Sequence, residues 1–465
     1  MTDAEEAERS SAGLFALLCV INLLNYVDRQ AVTGLLEPIR REFGATDAQM
    51  GLVGFAFLIT YTLLPPVFGW LGDRFARTRI ISASAGFWSV ATAATGLVTG
   101  VGQLAALRAA VGVGEASYMA NSPSLILDLV KPASRGRAMS LFYTASPVGA
   151  ALGVALGGAL WPHFGWRGAC VIVGLPGLIA AVLIGRRREP RRGGQDDNPA
   201  PPVQRSLGAA LRYLGRNRVY VLLTLAYGGL VFTQNAIEFW LPTVLQRDKQ
   251  LPITEANATY GAVVLAAGIL GPLLGAVLAD RMLRRNARAY FHVAALAALL
   301  VTVPLVGIMG SMSRPFLFGN VFAEAFLGNA SIGIIITLIV ATVVPELRAT
   351  ATAVALTSVH LMGDVISLPL VGRLSVALER SHPSAAIWTL LQPFRIAPDQ
   401  HLAVALTAVA VPGSLFAAAL FLCAGHAAPG VSEIQRLRPL RHGQLPPDRL
   451  PRPLDPHERP ETRDQ

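Results

Sequence analysis

The sequence predicts an all-α, polytopic membrane protein whose twelve transmembrane helices form two pseudo-symmetric six-helix bundles. Composition is the first reason: 53% of the 465 residues are hydrophobic and only 15% are charged, against about 25% charged in soluble proteins. The second reason is a succession of apolar segments, each near the roughly 20 residues that cross a bilayer. The third is a basic motif that recurs at equivalent places in the two halves.

The apolar segments divide into two groups of six, separated by a hydrophilic stretch. In the first group the candidate spans are residues 12–36, 47–71, 80–100, 102–128, 138–161 and 166–186. In the second group they are residues 218–245, 256–280, 289–310, 315–344, 350–378 and 401–425. Pro65 and Pro66 should bend the second span. Gly149, Gly153 and Gly157 are spaced to let the fifth span contact a neighbouring helix closely.

The segments between the spans set the domain boundaries and the orientation. We expect an N-terminal segment (1–11), a first bundle (12–186), a basic linker (187–217), a second bundle (218–425) and a disordered tail (426–465). Arg and Lys concentrate in one set of loops, and such loops stay on the cytoplasmic side. Both termini and the linker should therefore be cytoplasmic, in a bacterial inner (plasma) membrane.

The recurring motif carries a resemblance to a known family. It closes the second span as GWLGDRFARTR (69–79), and a more degenerate copy, GAVLADRMLRR (275–285), closes the eighth. Two such six-span halves resemble the major facilitator superfamily, although Ala76 stands where that family usually has glycine. Within it, NYVDRQ (25–30) and GVGEASYMANSPSLILDLVKPASRGRAMS (112–140) resemble the Spinster family, whose members move lysophospholipids or sphingosine-1-phosphate. The resemblance implies the major facilitator fold and a role in transport.

Two adjacent charges interrupt the first span. Asp28 and Arg29 are the only charged residues between Gly13 and Leu36. Charges within a membrane span face a water-filled cavity or one another, and they mark substrate or proton paths. Asn25 lies one turn before Asp28, so these side chains share a polar helix face.

The fourth span supplies a second pair of charges. Arg108 and Glu115 are seven residues apart, which places them on one face about 10 Å apart along the axis. Tyr118 extends that face. Asp28 lies at a similar predicted depth to Arg108, so the charges of the two spans could form one interior ladder.

This mixture of acids and bases suits proton coupling, because a carboxylate gains or loses a proton as its pairing with arginine changes. Glu115, the more central acid, is the first candidate proton carrier, and Asp28 is the second. Candidate substrate-binding or charge-partner residues are Arg29, Arg108, Asn25 and Tyr118. The alternative is a fixed charge network that only joins the two spans.

The loop motif predicts a cytoplasmic gate formed by Gly69, Asp73, Arg74 and Arg77. In the family that it resembles, such a loop pairs its charges with a neighbouring helix end and locks the cytoplasmic side. Arginines that only fix the topology are compatible with that role.

Other classes of function lack their motifs. The sequence has no G-x-S-x-G, no P-loop lysine motif and no H-E-x-x-H, so we expect no enzyme activity, no cofactor and no metal. We also expect a monomer in the lipid bilayer that binds no nucleic acid. His360 and Asp364 share a helix face and could relay protons or only pack together.

These patterns favour a secondary transporter of an amphipathic, lipid-like substrate, coupled to protons and working by alternating access. Its cavity should be charged on the side of the first and fourth spans and more apolar on the side of the second half. A proton-coupled drug or organic-anion carrier is the alternative. A membrane sensor or scaffold that does not transport is the alternative from another class.

Overall fold

The computed structural model describes residues 3–131, 134–192, 207–283, 288–311, 313–343, 347–381 and 400–428. Within these ranges the regular secondary structure is entirely helical. The predicted tail lies outside the described residues from Pro429 onward, as do parts of the linker and of the second copy of the basic motif.

The first half follows the predicted spans. Its helices are α1 (Asp3–Gly34), α2 (Leu36–Phe43), α3 (Asp47–Leu63), α4 (Pro65–Arg74), α5 (Arg77–Ala94), α6 (Val101–Leu129) and α7 (Arg135–Gly185). A short 3-10 turn (Thr95–Leu97) extends α5. The short helix α2, which connects the first two spans, was not predicted.

The second half agrees as closely. Its helices are α8 (Leu207–Arg216), α9 (Arg218–Arg247), α10 (Ile253–Leu283), α11 (Ala289–Leu300), α12 (Thr302–Gly310), α13 (Arg314–Ala330), α14 (Ile332–Ala341), α15 (Arg348–Met362), α16 (Asp364–Ser381) and α17 (His401–Ala427). The predicted linker contains α8, a helix that buries Ala210 and Leu214. Three predicted spans, the ninth to the eleventh, are each built from two consecutive helices.

Nine helical segments of the described residues are long and apolar enough to cross a membrane, and the bent pair α3–α4 makes ten. One of the nine is α7, which covers both the fifth and the sixth predicted spans and is broken at Gly165, where φ is 65°. The fourth predicted span corresponds to α6, which is not among these ten segments. A polytopic membrane fold follows, while the number twelve stays a prediction.

Two local predictions are confirmed. The second span bends by 41° where α3 meets α4, at Pro65. The fifth span packs closely on the first, since a Cβ atom at Gly153 would lie 2.6 Å from the carbonyl oxygen of Val27. A Cβ atom at Gly157 would lie 2.8 Å from the carbonyl oxygen of Ala31. The small-residue spacing therefore serves helix packing.

The two halves meet along two helix pairs, α7 with α10 and α3 with α16. Near the first pair, the carbonyl oxygen of Gly34, at the end of α1, accepts hydrogen bonds from two side chains of the second half. Gln246 Nε2 donates at 3.1 Å and Asn257 Nδ2 at 2.9 Å. A Cβ atom at Gly34 would lie 2.7 Å from Asn257 Nδ2, so a larger residue there would displace the Asn257 side chain from this hydrogen bond.

A group of charged and polar residues joins the halves at the same end, opposite the predicted cytoplasmic loops. We call it the outer cluster, and its members are Glu37, Arg40, Asp47, Arg247 and Ser375. Arg247 binds both carboxylate oxygens of Asp47, and Ser375 Oγ donates to Asp47 Oδ2 at 2.6 Å. The contacts tie α3 of the first half to α9 and α16 of the second.

Glu37 lies at the centre of the outer cluster. Its carboxylate accepts from Arg40 Nε at 2.9 Å and from Arg41 Nε at 2.7 Å, and Arg247 Nη1 is 4.0 Å away. Burial raises the pKa of the Glu37 carboxyl, but the hydrogen bonds from Arg40 and Arg41 outweigh it and leave the pKa below its ordinary value. Glu37 is therefore ionised at neutral pH.

Candidate substrate and proton site

A cavity of about 270 Å³ lies between the halves and is lined by both. Its first-half wall comes from α1, α3, α6 and α7, and its second-half wall from α9, α15 and α16. The charged or titratable residues that line it are Tyr26, Arg29, Tyr61, Arg108, Glu238 and His360. The site thus brings the first and fourth predicted spans together, as the sequence indicates.

The central contact of the site is an ion pair between α1 and α6. Arg29 donates to Glu115 Oε2 from Nε at 3.1 Å and from Nη2 at 2.6 Å. Arg29 lines the cavity, whereas Glu115 is fully buried behind it. Access to Glu115 from the cavity therefore depends on where Arg29 lies.

Aromatic rings surround the guanidinium of Arg29. Its Cζ atom lies 5.0 Å from the ring centre of Tyr26, 4.9 Å from that of Phe57 and 4.4 Å from that of Tyr61. A cation over an aromatic face is stabilised by about 0.5–2 kcal/mol, more where water is excluded. The rings hold the charge of Arg29 at the cavity wall while Glu115 neutralises it from behind.

Arg108 lines the same cavity but makes no ion pair among the described residues. Its Cζ atom lies 4.7 Å from the ring centre of Phe57, and its Nη1 has no hydrogen-bond partner in the described part of the chain. A buried guanidinium with a free donor beside a cavity is suited to bind an anionic group.

Asp28 and Asn25 are fully buried next to this site. Neither carboxylate oxygen of Asp28, and neither polar side-chain atom of Asn25, has a hydrogen-bond partner among the described residues. An unsatisfied buried polar group is costly, and such groups cluster at functional sites. In this arrangement Glu115, and not Asp28, holds an arginine.

Tyr118 lies apart from the cavity. Its hydroxyl donates to the carbonyl oxygen of Leu18 at 2.6 Å, and its ring packs between Trp88 and Phe142. The residue is fully buried and does not line the cavity. Its contacts join α6 to α1, which fixes the spacing of the helices that carry Glu115 and Arg29.

The predicted cytoplasmic gate is centred on Arg77. This residue is 5% exposed and bonds to Asp128, at the end of α6, at 2.5 Å and to Glu189, after α7, at 2.8 Å. Arg77 Nη1 also donates to Ser124 Oγ at 3.2 Å. Contact of the motif with a neighbouring helix end is what the family resemblance implies.

Of the other motif residues, Asp73 and Arg74 are exposed and Gly69 is half-buried. Arg74 stacks on Trp70 at 3.8 Å, and Gly69 has open space around its α-carbon. The side chain of Asp73 makes no ion pair among the described residues, while its carbonyl oxygen accepts from Arg192. Only Arg77 of the four predicted gate residues is locked into a charge network.

The second-half wall of the cavity also carries polar side chains. Glu238 of α9 lines the cavity and accepts a hydrogen bond from Gln30 Nε2 of α1, which links the halves at the level of the site. His360 lines it too, with its ring 6.5 Å from that of Tyr61 and at 88° to it. The second half thus contributes one carboxylic acid and one histidine to this wall, and the expectation of a more apolar side with few charges stays a prediction. The side chain of Asp364 lies outside the described residues.

Sequence reasoning missed the aromatic residues around Arg29 and the link from Gln30 to Glu238. Phe57 and Tyr61 are four residues apart in α3, a spacing that puts both rings on one helix face. This spacing could have predicted that the two rings lie together on one side of α3. Gln30 and Glu238 are 208 residues apart, and no local pattern connects them.

The chain is similar to known proteins over most of its length. Residues 18–366 match the profile of the Major Facilitator Superfamily. Protein spinster homolog 1 of Homo sapiens is 34% identical over 396 residues, which cover 80% of this chain and 74% of the human one. Protein spinster homolog 3 of Danio rerio is 32% identical over 400 residues, 82% of this chain and 80% of that one.

A solved structure is also similar to this chain. It is the crystal structure of a bacterial homologue of the human lysosomal transporter Spinster, in an inward-facing and unoccupied conformation. That protein is 25% identical, the match covers 90% of this chain and 97% of that one, and the TM-score is 0.78. The chain therefore belongs to the Spinster family of the Major Facilitator Superfamily and is a multi-pass membrane transporter.

Proposed function

We propose that this protein is a proton-coupled transporter of an amphipathic, lipid-like substrate of the lysophospholipid or sphingoid type, working by alternating access. The observation that carries the proposal is the pair of arginines at the cavity between the halves. Arg29 is neutralised by the buried Glu115, whereas Arg108 keeps a free donor. A cavity that presents a guanidinium with a free donor between aromatic walls suits a molecule with an anionic head and an apolar part.

Proton coupling follows from the same pairing. Glu115 stays ionised while Arg29 binds it, and it takes up a proton when a bound anion draws Arg29 away. Asp28, buried beside them without a hydrogen-bond partner among the described residues, is the second proton site. Substrate binding then moves Arg29 from Glu115 to the bound anion, and Glu115 takes up a proton. Movement of the substrate is thereby coupled to movement of the proton.

The conformational cycle uses the contacts between the halves. The outer cluster would keep one end of the cavity closed, and its release would accompany opening on that side. The Arg77 network would act at the opposite, cytoplasmic end, with both termini in the cytoplasm of a bacterial cell. Rocking of two repeat-related bundles about a central site is the general mechanism for such transporters.

The test is uptake of labelled lysophospholipid into proteoliposomes, with and without an imposed pH gradient. The wild type should show gradient-stimulated uptake, Glu115→Gln should keep binding but lose stimulation, and Arg108→Gln should lose uptake. Glu255→Gln is the control, because this carboxylate pairs with Arg314 and lines neither this cavity nor its neighbour. A wild type that moves drugs or organic anions instead would establish the alternative carrier. Movement of no solute by a folded protein would favour a sensor or scaffold.

A further inference from the structure

A second cavity, of about 180 Å³, adjoins the first on the side of the second half. The two share Ser146, Ala150 and Glu238 as lining residues. The polar residues of the second half that line it are Gln234, Glu238, Tyr260, Glu324 and Asn329. We call this second cavity the acidic compartment, because two of its lining residues are carboxylic acids.

Glu324 of α13 faces the compartment with an unused acceptor. The residue is 2% exposed, and its Oε1 has no hydrogen-bond partner among the described residues. Gly328, one turn later on the same face, leaves room for the Gln234 side chain to lie against α13. A carboxylate oxygen that is buried beside a cavity, without a hydrogen-bond partner among the described residues, is placed to accept a contact from a bound molecule.

The remaining polar lining favours a positively charged ligand. Asn329 uses its Nδ2 to donate to the carbonyl oxygen of Ala325 at 2.8 Å, which leaves its side-chain oxygen as an acceptor. Tyr260 adds an aromatic ring that can stabilise a cation. None of the residues that the structure describes in this lining is Lys, Arg or His. The first cavity differs, since Arg29 and Arg108 line it.

We propose that the acidic compartment binds the ammonium group of the transported molecule, with Glu238 and Glu324 as its counter-charges. This inference rests on the proposed function and narrows its substrate class to molecules that carry both an anion and an ammonium. The anionic group lies at Arg108 and the ammonium group lies in the adjoining compartment. The first half thereby binds the anionic group of the substrate and the second half binds its ammonium group. Only a substrate that carries both groups can contact both halves in this way.

The experiment compares two lysophospholipids with the same acyl chain in proteoliposomes. Lysophosphatidylcholine carries a quaternary ammonium beyond its phosphate, and lysophosphatidic acid does not. Glu324→Gln keeps the shape of the side chain but removes its charge, so uptake of lysophosphatidylcholine should fall at least about tenfold. Uptake of lysophosphatidic acid by the same variant should be unchanged or higher. Glu255→Gln, a carboxylate of the same half outside the compartment, should leave both rates unchanged.

Three results would overturn the inference. One is an equal loss for both lipids in Glu324→Gln with an unchanged melting temperature. Another is full uptake of lysophosphatidylcholine by that variant, which would leave the proposed function intact. The third is uptake by the wild type that sodium stimulates, with the stimulation lost in Glu324→Gln to the same extent for both lipids. The acidic compartment would then bind an alkali cation and not the ammonium group of the substrate.

If the wild type moves neither lipid, the proposed function fails and the compartment is tested separately. Dodecyltrimethylammonium should then raise the melting temperature of the purified wild type but not that of Glu324→Gln. Dodecyl maltoside, which has the same alkyl chain without the charge, is the control. Equal stabilisation of the two proteins by the ammonium compound would remove the compartment as a cation site.

Discussion

Arg247 in α9 and Asp47 in α3 form a bidentate ion pair across the two halves of the molecule. Arg247 Nη1 lies 2.9 Å from Asp47 Oδ1, and Nη2 lies 2.8 Å from Oδ2. The carboxylate is almost fully buried and also accepts from Ser375 Oγ. Arginine and carboxylate in this geometry make a strong and directional contact. The pair therefore ties α3 of the first half to α9 of the second, at the end of the molecule opposite the predicted cytoplasmic loops.

We expect Asp47→Asn to favour the outward-open arrangement. Loss of a charged hydrogen-bond partner costs about 2 kcal/mol, which would change the ratio of open to closed molecules by roughly 30-fold. Arg247→Gln should have a similar effect, and the double variant should add little to either single change because both remove one contact.

The measurement is labelling of a cysteine placed at Ser146, in the cavity, by an impermeant maleimide added from the outer side. Cys19, Cys170 and Cys423 are first replaced. Glu42→Gln is the control, because Glu42 bonds to Arg167 within the first half only. Labelling that rises equally in the control would show that the ion pair has no special part in closure.

Glu37 should make the outer cluster sensitive to acid but not to pH near neutrality. Its folded pKa is lower than the ordinary value, so its stabilising contribution is complete above about pH 4.5. That contribution is lost as the pH falls through the lower folded pKa. We expect the melting temperature of Glu37→Gln to lie below that of the wild type at pH 7, with the difference shrinking below pH 4.5. A difference that grows in acid would contradict the assignment.

Arg77 should contribute more to stability than its neighbours in the loop motif. It is buried and bonds to Asp128 and Glu189, and removal of one side of a buried pair costs about 3–5 kcal/mol. We therefore expect Arg77→Gln to lower the melting temperature and the uptake rate. Arg74→Gln, which removes an exposed arginine stacked on Trp70, should change neither by much. If Arg77→Gln and Arg74→Gln changed the melting temperature and the uptake rate equally, the motif would act only through its net positive charge.

The sequence predicted the spans well because hydropathy and helix-breaking residues are local properties. Gly165, which interrupts α7, and Pro65, which bends the second span, act on the backbone of their own segments. The meeting of the first and fourth spans could also be predicted, since charged residues in a membrane seek each other. The pairing of Arg29 with Glu115 is an outcome of that rule.

Contacts between the halves could not be predicted in the same way. Arg247 and Asp47 are 200 residues apart, and Gln30 and Glu238 are 208 apart. Which faces meet depends on the rotation of each helix about its axis, and this is decided by packing across the whole fold. Glu238 and Glu324 are visible in the sequence, but no local pattern shows that both line cavities.

Removal of the charge of Glu115 and removal of the charge of Asp28 should destabilise the folded protein by different amounts. Glu115 holds Arg29 with two hydrogen bonds, so Glu115→Gln leaves a buried guanidinium without its partner and should cost about 3 kcal/mol or more. Asp28 has no hydrogen-bond partner among the described residues, so Asp28→Asn removes a carboxyl without breaking a bond and should cost under about 1 kcal/mol.

Both variants should nevertheless lose the response of uptake to a pH gradient, because each removes a proposed proton site. Thermal unfolding at pH 7, monitored by tryptophan fluorescence, measures how much each variant is destabilised. A large destabilisation in Asp28→Asn would mean that Asp28 binds an arginine in the dominant state. Exchange of Arg29 between the two acids would then be the coupling step, and Asp28→Asn should also strengthen the contact of Arg29 with Glu115. A small destabilisation would leave Glu115 as the acid whose protonation releases Arg29.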